Sequence, residues 1–267
     1  MSTNTQLFRL QARKPKEPKT TSSIPPLRGL LPLVIALALW QIFGPEKSVY
    51  APRPSTWVEG VWELFADGVL LKSLSETLTT FIIAIVVATI LGTLLGVLVG
   101  RVKFFDRLFG PLFEFFRVLP PAAIVPLAVL IAGYSEQMKV GVVVLAAVWP
   151  ILLQVRSEAK ALDPILFEVG QVLHLKKSEV YRKVLFPAVI PSILQGLRLA
   201  TPILLIIVLL VEILTRINGL GGQIQQATEN YQSPIVYGLL IITGLLVIAV
   251  NLIVGAVENW ILRYLQK

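Results

Sequence analysis

The chain has no cysteine among its 267 residues and a single histidine, His174. A disulfide framework and a thiolate metal site are therefore excluded, and a histidine-based metal centre or proton relay is disfavoured. Charged residues are also scarce, at 15% of the chain, whereas a soluble domain carries about a quarter. Because so few charged side chains cannot cover a surface in water, we expect lipid to surround much of the chain.

The sequence also lacks a nucleotide-binding motif. Its glycine cluster, Gly219, Gly221 and Gly222, is not followed by the Lys-Ser or Lys-Thr pair that a phosphate-binding loop requires. We therefore expect a chain that is not an enzyme and binds no cofactor itself, so that any energy from ATP comes from another subunit.

Long apolar runs dominate what is present. A helix needs about 20 apolar residues to cross the hydrocarbon core, and six runs approach that length, at roughly 27–43, 77–100, 118–133, 138–155, 193–214 and 236–257. Pro120, Pro121 and Pro126 interrupt the third run, and broken helices survive at membrane depth only where protein or a cavity covers the freed backbone. The predicted fold class is an all-α membrane protein with about six transmembrane helices, the third lying inside the bundle.

Lysine and arginine are distributed unevenly between the connecting segments. With the N-terminus placed in the cytoplasm, eighteen lie in interior segments and five in exterior ones. This positive-inside bias predicts cytoplasmic N- and C-termini. It also accounts for the net charge of +8 with no nucleic-acid partner. The expected location is a bacterial plasma (inner) membrane, with the chain crossing the bilayer several times.

Residues 1–26 are polar and basic and contain four prolines. This composition predicts a disordered cytoplasmic tail, which leaves 27–267 as the transmembrane domain. The first apolar run ends in large residues, without the small-residue cleavage site of a secretory signal, and is interpreted as a retained helix.

The longest interior loop, 156–190, contains helix-start signals and no low-complexity sequence. Asp163 followed by Pro164 is typical of a helix start, and apolar residues then recur at helical spacing until a break near His174. A second short helix is expected to begin at Ser178 and Glu179.

Pro187 is expected to end that second helix before the next span begins. The segment 163–187, here called the elbow, is thus predicted to be a rigid helix–turn–helix on the cytoplasmic face. A soluble partner that changes shape could push such an elbow and tilt the spans on either side of it.

The elbow resembles a motif of ABC-importer permeases, which reads Glu-Ala-Ala, three residues, Gly, nine residues, Ile-x-Leu-Pro. The segment Glu168-Val169-Gly170, His174 and Val184-Leu185-Phe186-Pro187 keep that spacing. The glutamate and the proline match, while both alanines, the glycine, the isoleucine and the leucine are replaced. In the family the glycine lies at the turn, where a left-handed backbone is easiest without a Cβ. Histidine is among the other residues that reach this conformation more often.

Further segments are similar to the nitrate/sulfonate/taurine/bicarbonate branch of these permeases. They are 73–78 with Gly92 and Gly96, 117–127, 186–198, and Glu212 followed by Gly219-Leu220-Gly221. The resemblance covers roughly residues 50–262. It implies the core of a type I ABC importer permease, also described as the inner membrane component of a binding-protein-dependent transport system.

The resemblance also implies partners and roles. The partners would be two ABC ATPase subunits that carry ATP and Mg, a second identical or homologous permease, and an extracytoplasmic solute-binding protein. The solute would be a small anion such as nitrate, a sulfonate, taurine or bicarbonate. The residues implied in coupling to the ATPase are Asp163, Glu168, Gly170, His174 and Pro187.

Polar residues inside the predicted spans are candidates to line a pathway. They are Arg198, Thr201, Glu212 and Asn251, with Gln154 at the end of a span. Alternatives stay open: Arg198 can snorkel to the interface, and Glu212 can pair with Arg216 one turn later. Thr201 and Asn251 can instead bond neighbouring helices.

Gly92, Gly96 and Gly100 recur every four residues on one helix face. This spacing favours close packing of two helices, and a substrate groove is the alternative.

Two other functions compete with an importer. A secondary transporter would need paired carboxylates inside the membrane, where only Glu212 qualifies. A non-transporting membrane scaffold is the other possibility. The identity of the solute and the choice between homodimer and heterodimer are left open by the sequence.

Overall fold

The computed structural model describes residues 27–45, 48–163 and 165–265, and all regular structure in those residues is helical. The predicted tail, 1–26, and Pro164 lie outside the described residues. The first helix, α1 (Leu27–Phe43), falls in a compact unit of its own and coincides with the first predicted apolar run. At 17 residues it is about 25 Å long, somewhat short of the hydrocarbon core of about 30 Å.

The second unit, Pro45–Lys267, contains the remaining helices. They are α2 (Pro54–Ala66), α3 (Val69–Arg101), α4 (Lys103–Val118), α5 (Pro121–Ala132), α6 (Glu136–Ala161), α7 (Ile165–Val172), α8 (Lys177–Val180), α9 (Phe186–Thr215), α10 (Leu220–Glu229) and α11 (Ser233–Leu265), with a π-helical turn at Tyr181–Leu185.

Four of these helices are long and apolar enough to cross a membrane: α3, α6, α9 with the turns before it, and α11. The predicted runs at 77–100, 138–155, 193–214 and 236–257 fall inside them. The helices are longer than the apolar runs because their polar ends continue the helix. With 33 residues each, α3 and α11 are about 50 Å long, so they extend beyond the hydrocarbon core.

The third predicted span differs from a straight helix. Residues Lys103–Val118 and Pro121–Ala132 form two helices bent by 98° at a short break. Leu119 and Pro120 adopt extended backbone there, because each precedes a proline and proline disfavours the helical conformation of the residue before it. Counting this pair as one broken span gives up to five candidate spans in the described residues, beside the shorter α1.

The core of the second unit forms where α3, α6 and α9 pack together. A Cβ at position 96 would lie 2.8 Å from the carbonyl oxygen of Leu152, and one at position 100 would lie 2.7 Å from that of Arg156. Gly196 of α9 approaches α6 in the same way, with Ile151 Cα 2.9 Å from its hypothetical Cβ. The close packing predicted from the glycine spacing is therefore present.

Candidate functional site

The elbow begins with a capped helix. The Oδ1 atom of Asp163 accepts a hydrogen bond from the backbone N–H of Ile165 at 2.9 Å, and α7 begins at that residue. A side-chain acceptor at this position satisfies a backbone donor that has no partner within the helix. The predicted helix start at Asp163 is therefore observed.

The turn of the elbow uses a left-handed residue. His174 has φ of 53°, and the N–H of Leu175 donates to the carbonyl oxygen of Gly170 at 3.0 Å. This hydrogen bond joins residues five apart and encloses a left-handed residue, which is the Schellman motif that ends helices. His174 thus takes the conformation that the glycine of the permease motif would take, and the turn is preserved despite the substitution.

Gly170 lies at the contact between the two arms of the elbow. It is buried, and a Cβ added there would lie 2.9 Å from Cγ2 of Val180. A small residue is therefore needed where the permease motif has its second alanine. Glu168, on another face of α7, is exposed and is accessible from solution.

The second arm of the elbow begins slightly earlier than predicted. Lys176 is the N-cap residue, and its backbone N–H donates to Oε2 of Glu179 at 3.0 Å. Glu179 also pairs with Lys183 at 3.1 Å. The carboxylate that the sequence assigned to the cap therefore acts from the third helical position, as in a capping box.

The prediction that Pro187 ends this arm is wrong. The helix continues from Ser178 to Thr215 without a break, and Pro187 lies in the first turn of α9. The turn before it is a π-helix, in which the N–H of Phe186 donates to the carbonyl oxygen of Tyr181. This wider turn lets the chain pass the proline, which cannot donate to the usual carbonyl. The elbow is therefore continuous with a membrane-spanning helix.

A buried polar cluster lies at the opposite end of α9. The carboxylate of Glu212 accepts a hydrogen bond from the hydroxyl of Thr77 at 3.0 Å and one from the N–H of Gly221 at 2.9 Å. The ammonium group of Lys139 lies 3.6 Å from Oε1 of Glu212, with both side chains wholly buried. The cluster thus joins α3, α6, α9 and the start of α10.

Lys139 is the member of this cluster that sequence reasoning missed. Its ammonium group also donates to the carbonyl oxygen of Asn218 at 2.9 Å and lies 2.7 Å from Glu136. A signal was available, since Lys139 shares a helical face with the buried residues Val143 and Ala147.

The glycines after α9 are explained by this cluster. Gly219 has φ of 143°, and a Cβ there would overlap the carboxylate of Glu212. The N–H of Leu220 donates to the hydroxyl of Thr77 at 2.9 Å. The Gly-Leu-Gly segment therefore packs its backbone directly against a buried carboxylate, which requires a residue without a side chain.

Glu212 does not pair with Arg216, which was one of the alternatives left open by the sequence. Arg216 lies 2.6 Å from Glu229 of α10, because it caps α9 in a left-handed conformation that turns its side chain away. Arg198, the other cation of α9, lies 3.5 Å from the buried Glu258 of α11.

The four polar candidates for the pathway are not brought together. The hydroxyl of Thr201 is buried and donates to the carbonyl oxygen of Leu197 in its own helix at 2.8 Å. Asn251 lies on an exposed face of α11. Arg198 lies in the middle of α9, about 21 Å along the helix from Glu212 in its last turn, so these residues form no common site in the described structure.

A cavity of about 510 Å³ lies elsewhere, between the α4–α5 bend, α6 and α9. Its walls include Trp149 and Pro150 from the middle of α6 and Ile203 from the middle of α9, with Arg117 and Gln154 as polar members. The side-chain amide of Gln154 also donates to Gln195 of α9 at 2.8 Å. Of the polar candidates taken from the sequence, this cavity contains Gln154 alone.

Comparison with known proteins gives a consistent family. The family model described as "Binding-protein-dependent transport system inner membrane component" matches residues 88–267. A putative aliphatic sulfonates transport permease protein of Bacillus subtilis is 28% identical over 90% of this chain and 86% of its own length. A nitrate import permease protein of Synechocystis is 26% identical over 97% of this chain and 98% of its own. A bicarbonate transport system permease protein of Synechococcus elongatus is 32% identical over 58% of this chain and 56% of its own.

Solved structures share the fold. One chain of a methionine ABC transporter in an inward facing conformation superposes with a TM-score of 0.62 at 18% identity, covering 76% of this chain and 98% of its own. A chain of an amino acid ABC transporter gives a TM-score of 0.58 at 17% identity, covering 74% of this chain and 97% of its own.

Proposed function

We propose, from the premise that the chain belongs to the family of binding-protein-dependent transport system inner membrane components, that it imports a small anion. Membership makes the chain an inner-membrane permease subunit of an ABC importer. The observation that carries the choice of solute is the extent of similarity to permeases named for aliphatic sulfonates and nitrate, which covers at least 86% of each chain compared.

The cavity of about 510 Å³ beside α6 and α9 is proposed to be this chain's part of the translocation pathway. Small-molecule sites commonly have volumes of about 300–1,000 Å³, so the space suffices for a small anion and its water. Arg117, which lies 3.6 Å from Glu114 of the same helix, and Gln154 are the polar groups of the cavity that would contact the anion. A second permease, identical or homologous, would close the open side of the cavity.

The proposed coupling runs through the elbow to α9. Because the π-helical turn joins the elbow to α9 without a break, a force on α7 and α8 would tilt the spanning helix. Glu168 is exposed for contact with an ATPase subunit, while Asp163, Gly170 and His174 hold the shape of the elbow. Pro187 marks the junction with the span.

The complete importer would contain two such permease chains and two cytoplasmic ATPase subunits that bind ATP and Mg. A solute-binding protein would deliver the anion on the outer side, which we assign to α2 and α10. In this scheme ATP binding closes the ATPase pair, the elbows move with it, and the pathway opens to the outside. Hydrolysis resets the pathway.

The test is copurification of this chain with its candidate ATPase, followed by measurement of ATP hydrolysis in proteoliposomes. Nitrate, bicarbonate and ethanesulfonate, each loaded on the binding protein, are compared with an amino acid. Stimulation by one of the anions alone is the expected result. Stimulation by the amino acid alone would refute the anion assignment, and transport without an ATPase would refute the importer mechanism.

The elbow is tested in the same assay. Gly170→Leu inserts a side chain where only 2.9 Å separates a Cβ from Val180, so ATPase binding should be lost. Gly141→Leu is the matched control, since a Cβ at position 141 meets nothing within 4 Å. Equal loss in both variants would contradict the role of the elbow.

A further inference from the structure

An apolar groove of about 420 Å³ lies between the inner half of α3 and the π-helical turn. Leu94 and Val97 form one wall, and Leu185 and Phe186 form the other, with Arg182 also in the lining. Leu94 is 63% exposed and Phe186 is 53% exposed, so the groove opens to the outside of this chain. We name these residues, together with Thr93, the inner groove.

Thr93 supplies an unpartnered polar group in the inner groove. The residue is 9% exposed, and its hydroxyl has no hydrogen-bond partner in the part of the chain that the structure describes. By contrast, the hydroxyls of Thr80 and Thr89, elsewhere in α3, donate to backbone carbonyls of that helix at 3.1 and 2.6 Å. A buried hydroxyl without a partner costs about 1–3 kcal/mol, so the Thr93 hydroxyl is suited to a ligand that brings an acceptor.

Arg182 supplies the positive charge of the inner groove. Among the described residues no carboxylate lies within ion-pair distance of its guanidinium, whereas the adjacent Lys183 pairs with Glu179. Its side chain is exposed in a mainly apolar lining, whose other polar members are Thr93, Ser178 and Tyr181. A guanidinium in this setting matches a phosphate, which accepts two parallel hydrogen bonds from it.

The depth of the inner groove matches the inner leaflet of a bilayer. The hydrocarbon core of about 30 Å corresponds to about 20 residues of helix. Centred on the apolar run 77–100 of α3, the core would run from about residue 79 to about residue 98, which puts Thr93, Leu94 and Val97 in the part of the core that belongs to the inner leaflet. A phospholipid presents acyl chains, ester carbonyls and a phosphate in the order that the inner groove requires.

We infer that the inner groove binds an anionic phospholipid of the inner leaflet. The phosphate lies on Arg182, an ester carbonyl accepts the hydrogen bond of Thr93, and an acyl chain fills the space between Leu94 and Phe186. Because Arg182 belongs to the π-helical turn that joins the elbow to α9, the lipid contacts the segment through which the elbow moves that helix.

The test is native mass spectrometry of the purified full-length chain with equal amounts of palmitoyl-oleoyl phosphatidylglycerol and phosphatidylcholine. The unaltered chain should retain the phosphatidylglycerol preferentially. Arg182→Gln should weaken that retention about tenfold, as expected for loss of a charge-assisted hydrogen bond. Lys183→Gln, which removes the same charge one residue away, should change it less than about twofold.

The role of the Thr93 hydroxyl is tested by comparing lipid retention in the variant Thr93→Val with that in the control variant Thr89→Val. Hydrogen exchange of α3 would show that both variants are folded. Thr93→Val alone should weaken retention of both lipids. Equal effects of Arg182→Gln and Lys183→Gln, or displacement of the lipid by glycerol 3-phosphate, would overturn the inference. So would an Arg182→Gln variant that keeps the lipid and loses its ATPase, since Arg182 would then be a contact with that partner.

Discussion

The ammonium group of Lys139 lies 3.6 Å from Oε1 of Glu212, and neither side chain is exposed at all. Lys139 is in the first turn of α6, and Glu212 is in the last turn of α9. The hydroxyl of Thr77 and the N–H of Gly221 complete the surroundings of the carboxylate. The contacts of Glu212 are therefore those of a residue that holds helix ends together.

We predict that Glu212→Ala strongly destabilises the protein. The substitution removes the buried one of the two carboxylates near the ammonium group of Lys139, leaving only the half-exposed Glu136, and it removes the acceptor for Thr77 and Gly221. Breaking a buried pair in this way costs about 3–5 kcal/mol, which a denaturant titration of the purified chain would measure.

Glu229→Ala is the matched control for that substitution. It breaks the ion pair with Arg216, in which the Arg216 side chain is 69% exposed and the Glu229 side chain is 39% exposed. The loss should cost at most about 1 kcal/mol. Similar losses in the two variants would show that the buried cluster has no special role in stability.

We predict that Gly96→Val disrupts the contact between α3 and α6. Its Cβ would lie 2.8 Å from both the carbonyl oxygen of Leu152 and Cβ of Val155, and overpacking of a tight interface costs about 1–3 kcal/mol. The free energy of unfolding should fall accordingly. Gly244→Val in α11, where a Cβ meets nothing within 4 Å, should be tolerated, and an equal loss there would contradict the packing argument.

We predict opposite effects of two substitutions at His174. A left-handed backbone costs an ordinary residue about 1–2 kcal/mol, so His174→Val should loosen the elbow while His174→Gly should leave it intact or firmer. Hydrogen exchange of amides in 165–185 would report both effects. Faster exchange in the glycine variant than in the valine variant would contradict the assignment of this turn.

We predict that Asp106→Asn weakens the contact between α4 and α6. Asp106 pairs with Arg156 at 2.6 Å and with Lys160 at 2.8 Å. The Arg156 side chain is 19% exposed, and that of Lys160 is 62% exposed. Loss of the charged acceptor should cost about 1.5–3 kcal/mol, whereas Lys160→Gln should cost less than about 1 kcal/mol; thermal unfolding would compare the two.

The sequence predicted best what depends on local spacing. Five of the six predicted apolar runs lie inside helices, Asp163 caps α7, and His174 takes the left-handed turn, since each of these features follows from neighbouring residues. The π-helical turn was missed because proline usually ends a helix, and no residue adjacent to Pro187 indicates a wider turn. Lys139 was missed because its partner, Glu212, is distant in the chain and only the packing of α6 on α9 brings the two together.

The absence of native cysteine permits a direct test of the central claim, that the elbow is a cytoplasmic handle for an ATPase. The variant Glu168→Cys in α7 is treated with a membrane-impermeant maleimide, in intact cells and in inside-out vesicles, with Gln226→Cys in α10 as the control. We predict that the Cys at position 168 is labelled only in inside-out vesicles and is protected when the ATPase is bound, while the one at position 226 is labelled in intact cells. Labelling at position 168 in intact cells, or no protection by bound ATPase, would contradict the claim.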